Sequence, residues 1–311
     1  WIIFDTSCSS LFSFIDDREC GWLTGWHVSV ILLLKLKLWI SFDKLDELLS
    51  QVPDIEHIDL YGGEVGAMKK SYFYGIKDVI RKYYSGEISI NTNYSMMHPG
   101  FFDDDVYLSV SYDFEAREKS ELVFQNMLMS TVPIAVLVLA SPKVLEKDVS
   151  EMINMLNMCS SITSVEIKPY SINQANAHNV THKDFEDFVI KWLKLKDTMK
   201  FEFVNEDRII ESTKGRYNAF SDDHVYITPN GKFGVLEFDE EDKEFFLELD
   251  SWEQYIDWTN KEKEEMISPI CASCTYFGNC LTEHYRYVKD LDNSCNGYRG
   301  LLDWYHERMA S

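Results

Sequence analysis

The chain has 311 residues, 45% of them hydrophobic and 14% aromatic, enough to bury a core spread over about two domains. Its 30 Lys and Arg against 52 Asp and Glu give a formal charge of −22, which repels a phosphate backbone and an anionic membrane surface and argues against both as partners. Seven cysteines, an odd number gathered toward one end, exclude the spaced disulfide framework of a small secreted domain. The stretch Trp1-Ile-Ile-Phe-Asp5 has no basic n-region and does not read as a secretory signal, and the apolar run from Val28 to Leu34 is too short to span a bilayer, so the expected setting is the reducing cytoplasm.

Ile2-Ile3-Phe4 reads as a short buried strand leading to Cys8, whereas residues 21–40 show no clean period. From Ser41 the texture changes. A Ser cap and apolar positions at Phe42, Leu45, Leu48 and Leu49 predict a helix that ends before Pro53. Ile55 to Leu60 is a strand closing on Tyr61-Gly62-Gly63-Glu64, and Phe73, Ile76, Ile80 and Tyr83 recur at helical spacing. Residues 87–92 and 106–111 are strands, the second alternating Val106, Leu108 and Val110 with Tyr107, Ser109 and Ser111. The unbroken apolar run 133–140 marks a strand buried on both faces of a parallel sheet. Ser141-Pro142 opens a helix striped by Leu145, Val149, Met152, Ile153 and Leu156, residues 165–168 form a further strand, and Thr181 with Asp184 opens a helix carrying Phe185, Phe188 and Trp192.

This alternation predicts an α/β fold, a parallel sheet or barrel with helices outside. Ligands then belong at the carboxyl ends of the strands, where Tyr61–Glu64, Asn91–Asn93, Ser111–Asp113 and Lys168–Tyr170 converge. After residue 198 the pattern shifts. Asn230-Gly231 between two strand-like runs predicts a hairpin, and residues 251–260 predict a helix. We therefore divide the chain at 198/199, with a small cysteine-rich module at the end.

That module contains Cys271-Ala-Ser-Cys274, Cys280 and Cys295, a C-x2-C-x5-C…C pattern that lets four thiolates close round one inorganic centre. Zinc and an iron–sulfur cluster both accept four sulfurs, so the spacing alone leaves the two open. His98-Pro99 with Asp103–Asp105 reads as a solvated loop rather than an oxygen-rich metal site, and Glu240–Glu244 as a solvated turn. The chain has no G-x-S-x-G, G-x4-G-K-[ST] or G-x-G-x-x-G, which removes serine hydrolase, P-loop and Rossmann chemistry.

Taken in order, Gly62-Gly63-Glu64, Thr92-Asn93, Val110-Ser111-Tyr112-Asp113 and the terminal cysteines resemble the radical S-adenosylmethionine (SAM) enzymes that carry a C-terminal SPASM domain, a group that includes peptide and protein maturases. The resemblance spans residues 41–300. It implies a partial (β/α)6 barrel over 1–198 and an auxiliary-cluster module over 199–311. It also implies SAM and a [4Fe–4S] cluster as cofactors, a peptide or protein substrate, and a small electron-donor protein as partner. On it, Gly62 and Gly63 would let the backbone approach the methionine end of SAM, Glu64 would hold the ammonium, and Asn93 and Ser111 would lie nearby, with Ser111 able to bond a ribose hydroxyl. Cys271, Cys274, Cys280 and Cys295 would hold an auxiliary cluster.

The chain departs from the family pattern in two places. Leu236 stands where the hairpin cysteine of a first auxiliary cluster belongs, with His284 at another of its positions. At the front the family places C-x3-C-x2-C after the first strand. Cys8 takes the first of these positions, but Phe12 and Ile15, which cannot ligate iron, take the others; Cys20 adds at most a second thiolate. Either the radical-generating cluster has been lost and a binding scaffold remains, or residues 8–40 are a corrupted reading of a normal N-terminus.

Overall fold

The strands alternate in a way that fixes which face each side chain takes. In Trp26-His-Val-Ser-Val-Ile31, Val28 and Val30 are fully buried in the main apolar core, while His27 and Ser29, equally buried, face the other way. The computed structural model describes residues 26–31, 39–116, 118–170, 180–219, 224–238, 244–282, 285, 295 and 298–309.

The strands are β1 (Trp26–Ile31), β2 (Ile55–Tyr61), β3 (Ile88–Thr92), β4 (Val106–Ser111), β5 (Ile134–Leu139), β6 (Ile162–Lys168), β7 (Glu202–Phe203), β8 (His224–Ile227), β9 (Phe233–Phe238) and β10 (Glu244–Leu249). They form one sheet in the order β10-β9-β8-β1-β2-β3-β4-β5-β6-β7. Pairing is parallel from β8 through β1 to β7 and antiparallel along β8, β9 and β10. Side chains on distant strands meet across the concave face: Tyr61 on β2, Leu137 on β5 and Tyr226 on β8 share one small apolar cluster. Strands lie about 4.8 Å apart, so β2 and β5 in a flat sheet would be about 14 Å apart. The sheet is therefore curled into a partial barrel.

Helices cover the convex face. They are α1 (Phe42–Leu49), α2 (Lys70–Ile80), α3 (Ser120–Leu128), α4 (Pro142–Leu145), α5 (Val149–Leu156), α6 (His182–Lys194) and α7 (Val204–Thr213), followed by α8 (Trp252–Glu265), α9 (Pro269–Ala272) and α10 (Arg299–Met309). Capping sets their starts. Ser41 accepts from Lys44 N, and Thr181 and Asp184 close a reciprocal capping box. The α6 stripe of Phe185, Phe188, Val189, Trp192 and Leu193 packs into the same core as Val165 and Ile167, each large side chain contributing roughly 1.5–3 kcal/mol by burial.

Three expectations change. The first described strand of the barrel is Trp26–Ile31, inside the stretch read as having no period; its His27 and Ser29 face is polar yet buried, so only Val28 and Val30 read as core in the sequence. Ile2–Phe4 lies outside the described residues. The helix expected after Pro142 is split into α4 and α5, because Asp148 accepts from Glu151 N and starts a second helix. The hairpin forms, with Gly231 left-handed (φ 72°) in its turn, but β8 also pairs in parallel with β1, so the hairpin extends the barrel's own sheet.

Candidate functional site

At the carboxyl end of β2, Gly62 (φ 92°) and Gly63 (φ 60°) turn the chain through the left-handed region that other residues avoid. The turn delivers Glu64 inward. Its Oε1 accepts from Gly66 N (2.8 Å) and Thr92 Oγ1 (2.5 Å), and its Oε2 accepts from Asn93 N (2.9 Å). Burial pushes the Glu64 carboxyl above its ordinary pKa, against the pull of these three donors and of the nearby Lys119 charge. The resemblance gives Glu64 an ammonium group to hold; in the structure both of its oxygens brace the ends of β2 and β3 together.

Beside this brace lies a cleft of about 320 Å³ lined by Asn93, Ser95, Ser111, Tyr112, Asp113, Phe114, Glu118, Lys119, Ser120 and Val123. Asn93 and Ser111 thus share one site, with Gly62–Glu64 behind Asn93. Asn93 Oδ1 accepts from Ser95 N (2.9 Å), and the buried Asp113 accepts from Leu139 N (2.8 Å), which fixes the end of β4 against β5. Four described non-glycine residues have positive φ, and three of them, Tyr94, Phe114 and Lys119, are in or beside this cleft. Backbone held in that region costs on the order of 1–3 kcal/mol per residue and tends to gather at ligand sites. Lys119, Phe114 and Ser120 escaped the sequence reading because they follow no strand period; only the Ser111–Asp113 strand end hinted at them.

Beneath the cleft the barrel's interior is polar. His27 lies in register with His57 on one side and His224 on the other, forming a row of three imidazoles. His57 Nε2 meets Asp59 Oδ1 at 3.0 Å, and His224 Nε2 meets Ser29 Oγ at 2.9 Å. Burial and the neighbouring imidazole of His57 lower the His27 pKa to about 4, and burial with His27 lowers that of His224 to about 3. Burial opposes protonation of His57 as well, yet the Asp59 carboxylate holds its pKa above the ordinary value. Lys168 does not join the Asn93–Ser111 cleft: with Arg208 it grips Glu166 at a separate cavity of about 40 Å³.

In the C-terminal module Cys271 lies on α9 and Cys274 N donates to Cys271 O (2.9 Å). Cys271 and Cys280 are buried, Cys274 and Cys295 half-buried. Burial raises the pKa of the Cys280 thiol, with Cys295 and Cys274 adding to the effect. Burial likewise pushes the Tyr285 hydroxyl up to about 12, with Cys280 and Cys271 contributing. Cys274 and Cys295 thus lie near Cys280, and Cys271 and Cys280 near Tyr285. Among the described residues, however, no three Cys, His, Asp or Glu side chains are arranged to hold a metal ion. The donor set suits a thiolate-bound centre in its chemistry but is not closed round a common point. The cysteine segment is tied to α7 and the residues just after it by Ser212 Oγ donating to Asn279 O, Ala219 N to Cys280 O (2.9 Å) and Tyr285 Oη to Asn218 Oδ1 (2.6 Å).

The two departures from the family pattern resolve differently. Leu236, on β9, packs with Tyr61, Leu137, Tyr226 and Phe246, so an apolar cluster occupies the hairpin position expected to hold a cysteine. Cys8, Phe12, Ile15, Cys20 and His284 lie outside the described residues. Cys8 precedes β1 in the chain, whereas a catalytic cluster loop would follow it. Residues 32–40, which connect β1 to α1, contain no cysteine, and the next one in the chain is Cys159, a buried thiol raised to about 11 by desolvation. The described residues do not fit a cluster at the barrel mouth. The His98 and Asp103–Asp105 loop is bound up in structure: Lys77 Nζ pairs with Asp103 (2.7 Å) and Asp105 (2.6 Å), and Arg81 with Asp105 (2.6 Å).

No family model matches the chain, and no curated protein matches it in sequence. Solved structures do. Native anSMEcpe with bound AdoMet and a Cp18Cys peptide aligns with TM-score 0.61 at 12% identity, over 91% of this chain and 98% of that chain. Native anSMEcpe with bound AdoMet and a Kp18Cys peptide aligns with TM-score 0.62 at 13% identity over the same shares, and a histidine-tagged form with bound AdoMet with TM-score 0.62 at 12% identity. No described helix is long and apolar enough to cross a membrane. At this identity the likeness establishes architecture: the chain has the α/β partial-barrel fold of AdoMet-bound anSMEcpe.

Proposed function

We propose that the chain is a radical SAM/SPASM-type protein that takes SAM at the strand-end cleft and a peptide at the barrel mouth. The observation that carries this is the joining of Gly62–Glu64 to Thr92 and Asn93, beside a cleft containing Ser111, within a fold shared with a protein solved with AdoMet and peptide. In this arrangement Gly62 and Gly63 offer backbone groups to the amino-acid end of SAM. Glu64 orients that turn, and the Ser111 hydroxyl and Asn93 carboxamide bond the sugar and its neighbours. The Cys271, Cys274, Cys280 and Cys295 thiolates would hold one [4Fe–4S] cluster or one zinc ion, supplying a structural cross-link beside α7. We keep the division at 198/199, with β7 to β10 of the second part continuing the barrel's sheet and the cysteine segment following them.

Among the described residues the barrel mouth holds no thiolates for a radical-generating cluster, so the function it supports is binding without reductive cleavage of SAM. A second reading, a complete maturase with an electron-donor partner, draws on one observation. β1 pairs in register with β2 and β8, and Ser41 caps α1, so on the described residues the mismatch narrows to the connection 32–40. Anaerobic reconstitution with iron and sulfide, then reduction in the presence of SAM, separates the two. About four irons per chain and no 5′-deoxyadenosine is the result expected for the binding protein; about eight with 5′-deoxyadenosine formed marks the enzyme. Three closely spaced cysteines in an alternative frame of the underlying DNA would also favour the enzyme.

A further inference from the structure

The concave face of β6 carries Ser164, Glu166 and Lys168, all buried, while Val165 and Ile167 enter the main core. Leu137 on β5 pairs in register with both Ser111 and Glu166, so these two face the same way with their backbones within about 10 Å of each other. Glu166 therefore stands at the level of the strand-end cleft, two strands along. Asn205, at the start of α7, closes on the backbone of Ile167, accepting from its N (2.7 Å) and donating to its O (2.9 Å). That pairing fixes α7 against β6 and brings Arg208, one turn on, to Glu166.

Glu166 is 2% exposed; its Oε1 accepts from Lys168 Nζ (2.8 Å) and from Arg208 Nη1, and its Oε2 has no hydrogen-bond partner among the described residues. A buried carboxylate oxygen left in that state is costly. All three charged side chains line the cavity of about 40 Å³, whose other walls include Phe185, Tyr298 and Leu301. One water needs roughly 10–15 Å³ of such space, so the cavity takes about three non-hydrogen atoms. The charges select which three. A carboxylate would face Glu166, and an ammonium would face Lys168 and Arg208. A neutral carboxamide avoids both conflicts: its N–H groups suit Glu166 Oε2, its carbonyl suits a cation, and its aliphatic stem suits the apolar wall.

Resting on the peptide reading of the barrel mouth, we propose that this cavity takes the carboxamide side chain of a glutamine or asparagine residue of the peptide. Glu166 and Arg208 are its binding residues, and Lys168 holds Glu166 in place.

Ligand-observed NMR on the full chain tests this with propionamide, propionate and propylammonium, and then with capped tripeptides that carry Gln, Asn, Glu or Ala between two alanines. Propionamide is expected to bind about tenfold tighter than either ion, and the better of the Gln and Asn peptides about tenfold tighter than the Glu and Ala peptides. Glu166→Gln is expected to abolish the preference for propionamide over propionate. If that variant melts below the assay temperature, Ala219→Val, which narrows the same cavity without touching its charges, is expected to lose propionamide binding instead. Either ion binding as tightly as propionamide, or no small probe binding, overturns the carboxamide assignment and leaves the peptide reading standing. Tripeptides bound without discrimination overturn the inference alone, whereas propionamide bound with no tripeptide bound overturns the peptide reading with it. Unchanged propionamide binding in both variants places that binding elsewhere and overturns the inference.

Discussion

The barrel mouth and the cysteine module depart from the same family pattern in opposite ways. At the mouth the polar framework is intact and the described residues lack the thiols; in the module the thiols are present but their closure is not. The difference lies in what shapes each region. Glu64 holds three donors from two strand ends, so the cleft is built by hydrogen bonds and sheet register and needs no ligand to form. Among its described residues the cysteine segment has only the short helix α9, and on the proposed thiolate-bound centre its closure would depend on what its sulfurs bind.

The largest expected effect attacks that contrast directly. Cys271→Ser with Cys280→Ser, or strong chelation, should open the module to proteolysis, since thiolate–metal binding in such modules contributes on the order of 10 kcal/mol to folding. SAM affinity at the cleft should be unchanged. Limited proteolysis read by mass spectrometry, with titration of SAM alongside, checks both halves, and simultaneous loss of the cleft would erase the distinction.

Acid probes the barrel's interior. His27, at about 4, and His224, at about 3, are held neutral in the fold, whereas an unfolded imidazole takes up a proton near 6.5. Their stabilising contribution is complete above pH 6.5 and falls as the pH drops toward 4, by about 3 kcal/mol for His27 alone. His57 works in the opposite sense, since its raised pKa favours the folded form below 6.5. Urea melts at pH 7 and pH 5 should show a lower midpoint at pH 5, and His27→Phe should flatten the difference.

Glu64→Ala strips the brace of its acceptors and should cost about 2 kcal/mol, with SAM affinity falling as the Asn93 segment loosens. Thermal melts paired with titration read both; a full loss of stability without loss of binding would make Glu64 structural only. The smallest effect serves as the control. Asp105→Asn loosens the pairs with Lys77 and Arg81 and should cost about 1 kcal/mol or less, with no change in metal content or in SAM affinity.

Much of this was legible in the chain. β2 to β6 announced themselves because their convex faces are uniformly apolar, and Gly62-Gly63-Glu64 because consecutive glycines at a strand end have few other uses. β1 was missed because a barrel interior lined by His27 and Ser29 resembles a solvated face in sequence, although both are buried. α3 and the cleft residues Phe114 and Lys119 were missed for another reason: their placement comes from left-handed backbone that local composition does not encode. Glu64 was legible as a strand-end carboxylate, but the donors that fold toward it, Gly66, Thr92 and Asn93, were not, because a sequence does not show which strand ends meet.

Hydrogen exchange on the full chain, with and without SAM in EDTA, is the most direct measurement of whether the strand-end cleft is a nucleotide site. Slowed exchange confined to amides of residues 62–66, 91–95 and 111–123 is the expected result. Protection confined to residues 266–282, or no protection anywhere, would contradict it.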